Sequence, residues 1–265
     1  RFKINGVAQP RLSDVLGKLC VVFFSPEDIA LVKGPASTRR LFLDMELSQL
    51  HPIYLRALQQ YRKALRQRNE LLRHHSCDPD LLAVWETQLA EYGKTLITER
   101  QEAIGELSVI AGELYAQLIE NEPLSLSYQP DINDADAIVD ILQKTRTADM
   151  TRKNTGRGPH RDELVIQIAG KSARTYGSQG QQKSAALILK LAEVELMRRR
   201  VGEYPVVLLD EAPAELDNDR ARRLLEAVPE EAQAIITTAQ PIELFPLSQQ
   251  HAALFQIERG HLEKK

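Results

Sequence analysis

The segment "YPVVLLDEAPAELD", residues 204–217, contains four apolar β-forming residues that are followed by the acids Asp210 and Glu211. A helical pattern precedes it, and a helical pattern at 219–228 and the apolar run "AQAIITTA" at 232–239 follow it. This order predicts a parallel sheet with crossover helices. Because ligands gather at the carboxyl ends of such strands, we predict that these two acids hold a Mg²⁺ water shell and orient an attacking water. The alternative is a buried strand that simply ends at a charged loop.

The upstream segment "TYGSQGQQKSAALILKLAEVELM", residues 175–197, has the glycines and the Lys-Ser pair of a phosphate-binding P-loop. A P-loop needs glycine directly before the lysine, but Gln182 precedes Lys183, so we reject this interpretation. What remains is a polar loop before a helix at 183–200, whose N-terminal amides are able to meet an anion; the alternative is an ordinary polar N-cap. The loop consists of Ser178, Gln179, Gly180, Gln181 and Gln182.

The composition is that of a soluble protein, since 43% of the 265 residues are hydrophobic and 27% are charged. The cysteines, Cys20 and Cys77, and the six histidines lie in no metal-ligand spacing, which predicts no protein-bound metal cluster and favours a reducing cytoplasm. No apolar run reaches the roughly 18 residues that cross a membrane. A net charge of −3 argues against a polycation, so any contact with DNA is expected to be local.

Two long amphipathic helices are predicted in the first half of the chain. Ser37 is a candidate N-cap for a helical pattern, and Pro52 suits the first turn of a longer helix that runs to about Arg73. Asp78 and Pro79 start the next helix. Both helices carry a seam with steps of three and four, so they are predicted to pack antiparallel as an arm. The seam of the first helix consists of Tyr54, Leu58, Tyr61, Leu65, Arg68 and Leu72.

A third motif follows the acidic strand end. The segment "AELD" (214–217) is separated from Glu211 by two residues. An acid-tipped strand, preceded by a Ser-x-Gly-Gln loop and followed by x-x-Leu-Asp, resembles the ATP-binding-cassette (ABC) ATPases. The resemblance implies that 178–182 is the signature motif, which contacts the γ-phosphate of a nucleotide held by the opposite subunit. It also implies that Asp210 is the metal-binding acid and Glu211 the catalytic base. The implied D-loop consists of Glu215, Leu216 and Asp217.

More specifically, the chain resembles the RecF family of ABC/SMC-like ATPases. The resemblance implies a cytoplasmic homodimer that uses ATP and Mg²⁺ and binds double-stranded DNA at gaps or junctions. It also implies that the protein acts with RecO and RecR, and indirectly on RecA, in DNA replication, repair and the SOS response. The matching blocks are "FFSPEDIALVKGPASTRRLFLD" (23–44), "YRKALRQRNELLR" (61–73), "GPHRDEL" (158–164), "SQGQQKSAALILKLAE" (178–193) and "LLDEAPAELD" (208–217).

The chain departs from this family at the P-loop, because no Gly-x-x-x-x-Gly-Lys-Ser/Thr occurs in the 265 residues. The opening "RFKING" is interpreted as the second half of a hairpin with its turn at Asn5 and Gly6. The sequence is therefore expected to lack an N-terminal part. We expect the complete protein to hydrolyse ATP as a dimer and the 265-residue chain alone to be inactive. A milder departure is Glu211, where many relatives carry a second aspartate; glutamate agrees with ABC ATPases at large.

Three segments allow two interpretations each. In "GPHRDEL", His160 and Arg161 belong either to an ordinary Gly-Pro turn or to an active site or interface. The segment "FFSPEDIALVKG" is either a nucleotide-sensing loop between head and arm or a helix start. The basic residues of the arm, of which Arg62, Lys63 and Arg66 are the candidates for DNA contact, are either a solvated helix face or phosphate ligands.

These observations predict an α/β protein with a partial ABC-type ATPase head and an inserted antiparallel helical arm. The head is expected to comprise residues 1–45 and 123–265, and the arm residues 46–122. Two rival interpretations remain. A generic SMC-like structural ATPase would carry a longer coiled coil than these fewer than 80 residues provide. A non-catalytic scaffold without a P-loop would keep only its contacts with DNA or protein partners.

Overall fold

A computed structural model describes residues 2–10, 15–74, 78–119, 122–211, 226–239 and 253–264. The strands are β1 (Phe2–Ile4), β2 (Val7–Gln9), β3 (Val21–Phe24), β4 (Leu124–Gln129), β5 (Glu163–Ile168), β6 (Lys171–Ser172), β7 (Val206–Asp210), β8 (Ala234–Thr237), β9 (Phe255–Glu258) and β10 (His261–Lys264). The helices are α1 (Ala30–Lys33), α2 (Ala36–Leu50), α3 (Pro52–Arg73), α4 (Pro79–Leu118), α5 (Ile138–Lys144), α6 (Arg146–Arg152), α7 (Ala173–Tyr176) and α8 (Gln179–Val201). Short 3₁₀ turns occupy Pro26–Ile29, Ala135–Ala137 and Pro159–Arg161.

The parallel sheet that the acid-tipped segment predicts is confirmed. Strand β7 lies between β3 and β8, and both pairings are parallel. The apolar residues of β7 alternate between buried and half-buried positions. The helix expected at 219–228 lies almost entirely outside the described residues. The central position of β7 puts its carboxyl end, and therefore Asp210, in the middle of one sheet edge.

A second sheet has the order β4, β5, β6 and is antiparallel throughout. A third pairing, between β1 and β2, is a hairpin whose two-residue turn is Asn5 and Gly6, both at positive φ (49° and 82°). The predicted turn is therefore confirmed, but Phe2–Ile4 form the first strand of this hairpin and not its second half. The Asn-Gly pair explains the turn because both residues tolerate the left-handed conformation that this turn requires.

The arm is an antiparallel helix pair formed by α3 and α4. Helix α4 starts as predicted, with the Asp78 carboxylate accepting a hydrogen bond from the Asp80 amide at 2.9 Å, and its 40 residues extend over about 60 Å. Helix α2 begins one residue before the candidate cap Ser37, because Pro35 is extended (ψ 163°) and ends the preceding segment. The contacts between α3 and α4 run in opposite directions, since Arg68 meets Glu86 whereas Tyr54 meets Arg100.

Two hydrophobic cores divide the interior. The head core joins β3, β4, β5 and β7 to α8 and to the later part of α4. The arm core joins α3 and the earlier part of α4 to α5, and it contains most of the predicted seam. Helices α2 and α4 contribute residues to both cores, so each passes through the expected border between head and arm. The division at 45/46 and 122/123 stays a prediction.

The described residues show no membrane-crossing segment, since every helix among them is too short or too polar to span a bilayer.

Candidate functional site

Asp210 and Glu211 lie at the carboxyl edge of the parallel sheet, and both are exposed. The Thr237 hydroxyl, at the end of β8, donates a hydrogen bond to Asp210 Oδ1 at 2.6 Å. The Glu211 amide donates to the Thr237 carbonyl oxygen at 3.2 Å. This pairing orients the Asp210 carboxylate, whose second oxygen accepts no hydrogen bond from the residues that the structure describes. One carboxylate at such an edge suits Mg²⁺, which keeps several waters and takes its other ligands from phosphates.

Glu211 adopts a left-handed backbone conformation, with φ at 53°. This conformation is uncommon for residues other than glycine and costs of the order of 1–3 kcal/mol. It ends the strand abruptly, so that Glu211 does not follow the strand alternation of β7. Strained residues of this kind cluster at functional sites, which supports the interpretation of Glu211 as a reacting group.

Strand β3 brings the segment "FFSPEDIALVKG" to the same edge. Phe24 pairs with Leu209 in the parallel register, so Ser25 follows β3 beside Asp210. The Asp28 carboxylate accepts a hydrogen bond from the Ser25 amide at 2.8 Å, and a 3₁₀ turn followed by α1 begins here. The helix-start interpretation is therefore confirmed. Sequence reasoning missed both β3 and the proximity of Ser25 to Asp210, although "VVFF" is a short β-type run before a proline.

The polar loop caps helix α8. The Ser178 hydroxyl accepts a hydrogen bond from the Gln181 amide at 3.2 Å, and the Gln181 side chain accepts one from the Ser178 amide at 2.7 Å. This reciprocal arrangement is a capping box and starts the helix at Gln179, four residues earlier than the expected position 183. Ser178 and Gln179 are exposed and Gly180 is half-buried. These three residues leave the N-terminus of α8 open to an anion.

The two glutamines at the end of the loop have internal partners. Gln181 Nε2 donates to Glu122 Oε2 at 2.7 Å, close to where the arm returns to the head. The buried Gln182 side chain donates to the carbonyl oxygens of Ala173 and Arg174 at 2.9 and 3.2 Å. Gln182 therefore holds the turn before the loop, whereas the residues accessible to a ligand are those at 178–181.

Among the described residues, no hydrogen bond joins the loop at 178–182 to Asp210 or Glu211. Lys190 lies on α8 with its ammonium 6.0 Å from the centre of the Phe24 ring, at the end of β3. Ser178 precedes Lys190 by twelve residues, which is about 18 Å along a helix. The structure thus brings Asp210, Glu211 and Thr237 together but does not bring Ser178 to them. Such a separation is what a site completed by a second subunit requires.

The candidate DNA-binding residues of the arm share one exposed stretch of α3. Arg62, Lys63 and Arg66 are all exposed. Arg62 donates to the Asp44 carboxylate of α2 at 2.8 Å while half of its side chain stays exposed. Because positions three and four residues apart share a helix face, the three cations form one patch.

His160 is part of the internal structure of the Gly-Pro turn. Its Nε2 donates to the Thr155 carbonyl oxygen at 3.0 Å, so in the neutral ring Nδ1 accepts from the Tyr61 hydroxyl at 2.7 Å. Burial lowers the pKa of His160 to about 4. Gly158 has φ at 127°, and a Cβ there would lie 2.7 Å from the Tyr61 oxygen. These contacts favour the structural interpretation for His160, whereas the neighbouring Arg161 is exposed.

No family model matches the chain, but individual relatives match it closely. It is 43% identical over 248 residues to the DNA replication and repair protein RecF of Symbiobacterium thermophilum, covering 89% of this chain and 66% of that protein. It is 39% identical over 279 residues to RecF of Halalkalibacterium halodurans, covering 100% of this chain and 75% of that protein. The chain belongs to the RecF family.

A solved structure of the "recombination mediator protein RecF-ATPrS in RecFOR pathway" matches 99% of this chain and 72% of its own, with 33% identity and a TM-score of 0.89. A second, described as RecF-ATP, matches with a TM-score of 0.88. These matches confirm the α/β fold of the ABC-type head with its helical arm. The chain spans 66–75% of the length of these RecF proteins. The expected D-loop at 215–217 lies outside the described residues.

Sequence reasoning missed a buried ionic network in this RecF family chain, which is centred on Arg100. Its guanidinium donates to Asp44 and Asp162 at 2.8 Å each and to the Tyr54 hydroxyl at 3.0 Å. Asp162 also accepts from the Tyr128 hydroxyl. The signal was present, because Arg100 interrupts the apolar seam of α4 as Arg68 interrupts that of α3. Within "GPHRDEL", Asp162 is therefore the residue that joins this segment to Arg100 and Tyr128.

Proposed function

We propose that this chain acts as an ATP-dependent, DNA-binding recombination mediator of the RecF type. In this function two copies close on ATP, bind double-stranded DNA at gaps or junctions and, with RecO and RecR, help RecA to load. The observation that carries the proposal is the separation, within one chain, of an acidic sheet edge and an exposed capped helix N-terminus. Each half-site then needs the complementary half-site of a second copy.

The acidic edge supplies the chemistry of hydrolysis. Asp210, oriented by Thr237, would hold Mg²⁺ through a water, and the bound ion would supply charge neutralisation at the phosphates. Glu211 accepts a proton from the attacking water. Ser178 and the first amides of α8 contact the γ-phosphate of the opposite subunit's nucleotide. This assignment is supported by the ATP-bound states of the matching RecF structures.

DNA is bound by the exposed basic stretch of the arm. Arg62, Lys63 and Arg66 supply three cations on one face, which is sufficient for non-specific contact with phosphates. The acidic net charge of the whole chain confines attraction for DNA to patches of this kind.

A non-catalytic scaffold is the second candidate function. The observation that favours it is the absence of a P-loop sequence from the 265 residues. In that case the chain would bind DNA or protein partners without an ATP-dependent step. ATP binding and turnover of the natural reading frame, including whatever lies upstream, separate the two functions.

The test of the proposed function compares Ser178→Arg with Glu211→Gln in the full natural reading frame. Ser178→Arg should leave ATP binding by each monomer intact but abolish the ATP-dependent dimer, because a bulky side chain occupies the γ-phosphate position. Glu211→Gln should form a persistent ATP-bound dimer while turnover falls roughly 10²-fold or more, as expected for loss of a general base. Light scattering with ATP measures dimerisation and phosphate release measures turnover.

Thr87→Arg is the matched control for Ser178→Arg, because Thr87 is an exposed residue of the arm helix α4. It should dimerise like the unmutated protein. Normal dimerisation of Ser178→Arg would exclude the role of the loop in trans. Unchanged hydrolysis by Glu211→Gln would exclude its role as the base.

A further inference from the structure

The junction of α2, α3 and the Gly-Pro turn gathers four guanidinium groups around two carboxylates. Arg100 binds both Asp44 and Asp162, and Arg62 binds Asp44. Arg40 Nη1 donates to the backbone carbonyl oxygen of Asp162 at 2.7 Å. The fourth group, Arg161, directly precedes Asp162 in the chain. Three of these arginines contact the two aspartates, and the charge of Arg161 acts on Arg40.

Both oxygens of each carboxylate already accept hydrogen bonds from within the chain. Asp44 is 7% exposed, and its oxygens accept from Tyr54, Arg100 and Arg62. Asp162 is 1% exposed, and its oxygens accept from Arg100, from the Tyr128 hydroxyl and from the Asp131 amide.

Within the described part of the chain, neither Arg40 nor Arg161 forms an ion pair with a carboxylate, and Arg40 contacts only the backbone carbonyl oxygen of Asp162. The other nearby acids, Glu163 and Asp131, pair with Arg39 and Arg157. The junction consequently carries an excess of about two positive charges, and these belong to side chains at its surface.

The geometry holds these cations next to one another. Arg40 and Asp44, which binds Arg62, are one turn apart and therefore share a face of α2. Burial, and next the charge of Arg100, lowers the pKa of Arg40, with a smaller contribution from Arg161 in the same direction. Glu163 and Asp162 offset part of this repulsion, and a bound polyanion would relieve the rest.

We propose that Arg40, Arg62 and Arg161, which we call the junction patch, bind the phosphate backbone of duplex DNA. The patch continues the basic face of the arm, since Lys63 and Arg66 follow Arg62 within about one helical turn of α3. The junction patch therefore extends the DNA contact from the arm onto the head. It rests on the proposed function, because it presupposes that the protein binds DNA through its arm.

Two features favour DNA over an acidic protein segment. The cations form a track that runs along α3 and onto the head, as a regularly charged backbone requires. Arg40 and Arg62 are each anchored through one edge of the guanidinium, by the Asp162 carbonyl oxygen and by the Asp44 carboxylate respectively. The planar fork leaves its remaining N–H groups for bidentate contact with phosphate oxygens.

The experiment measures binding of a fluorescent DNA duplex against salt concentration, in the natural reading frame with ATP. Arg40→Gln and Arg161→Gln should each lower the slope of log K against log salt by about one unit, and the double variant by about two. Arg40→Lys should restore most of the slope, because it keeps the charge. Arg152→Gln, an exposed arginine outside the patch, should leave the slope unchanged. Equal thermal unfolding midpoints confirm that the variants fold.

The outcomes separate this inference from the proposed function. If the unmutated protein binds no duplex, the proposed DNA-binding function fails, and the inference fails with it. If the unmutated protein binds and the double variant keeps the full slope, only the junction patch is overturned. If duplex binding is unchanged but the double variant loses binding of a polyglutamate peptide, the patch is a protein-docking surface and the assignment to DNA is wrong.

Discussion

The arm contains two sets of arginines with opposite surroundings. Arg68 and Arg100 are 0% and 2% exposed and sit inside the helix pair, whereas Arg62 and Arg66 are exposed on the outer face of α3. Arg68 donates to Glu86, to Asp149 of α6 and to the Thr155 hydroxyl. The buried set is thus saturated by partners within the chain, while the exposed set keeps donors for a ligand.

The difference separates stability from binding. A buried arginine has lost its hydration, so its carboxylate partners must compensate, and removing it leaves buried acids without a counter-charge. An exposed arginine keeps most of its hydration, and its ion pairs contribute about 0–1 kcal/mol. Substitutions of the buried arginines should therefore lower stability, whereas substitutions of the exposed arginines should weaken ligand binding. The following predictions test this contrast.

The largest effect is expected for Arg100→Met. Methionine fills part of the space but leaves Asp44 and Asp162, both buried, without their shared cation. Removing one partner of such a network costs about 3–5 kcal/mol of the free energy of unfolding. Urea unfolding followed by circular dichroism measures the loss. Arg66→Met is the matched control on the exposed face and should change stability by no more than about 0.5 kcal/mol. Similar losses for both variants would contradict the contrast.

An intermediate effect is expected at His160, through pH. Its pKa of about 4 in the folded protein lies below the value of about 6.5 in the unfolded chain. The contribution of neutral His160 to stability is therefore complete above pH 6.5 and is lost as the pH falls toward 4. Between pH 8 and pH 5 the loss amounts to about 2 kcal/mol, from 1.36 kcal/mol per pKa unit.

The variant His160→Gln isolates this contribution, because glutamine does not titrate. Its urea midpoint should be lower than that of the unmutated protein at pH 8, with the difference shrinking at pH 5. His74→Gln is the control, since His74 is exposed, with 66% of its side chain accessible, and should leave the pH profile unchanged. A profile for His160→Gln that parallels the unmutated protein would exclude His160 as the titrating group.

The fold was predictable where the pattern is local. Steps of three and four residues located α3 and α4 and even placed Arg68 on the seam, and Asp78 with Pro79 located the start of α4. The ionic partners were not predictable in this way. Arg68 meets Asp149 across 81 residues and Arg100 meets Asp162 across 62 residues, so only the packed fold brings them together.

The candidate site was likewise predictable where the sequence signal is local and not where it depends on contacts between distant residues. Asp210 and Glu211 could be placed at a sheet edge because a β-run ending in acids is a local signal. Thr237 and Ser25 could not, because their proximity to Asp210 depends on the parallel register of three strands that are distant in sequence. His160 was ambiguous for a similar reason, since its partner Tyr61 lies 99 residues away on the arm.

The smallest effect on stability, and a clear effect on binding, is expected for the double variant Arg62→Gln and Arg66→Gln. Arg62 loses its pair with Asp44, but Arg100 and Tyr54 still bind that carboxylate, so the free energy of unfolding should fall by no more than about 1 kcal/mol. If both arginines contact phosphates, the slope of log K against log salt for duplex binding should fall by up to about two units. Fluorescence anisotropy across a salt series, with ATP, measures the slope.

The matched control is Lys94→Gln with Lys144→Gln, which removes the same two positive charges from exposed positions outside the patch. A non-specific effect of net charge would weaken duplex binding equally in both double variants, because long-range attraction depends on the total charge. Direct phosphate contact would instead change the slope only when Arg62 and Arg66 are neutralised, since each contact releases its own counterions. An unchanged slope in the Arg62 and Arg66 variant would mean that this face of α3 is merely solvated, and the contrast between buried and exposed arginines would then concern stability alone.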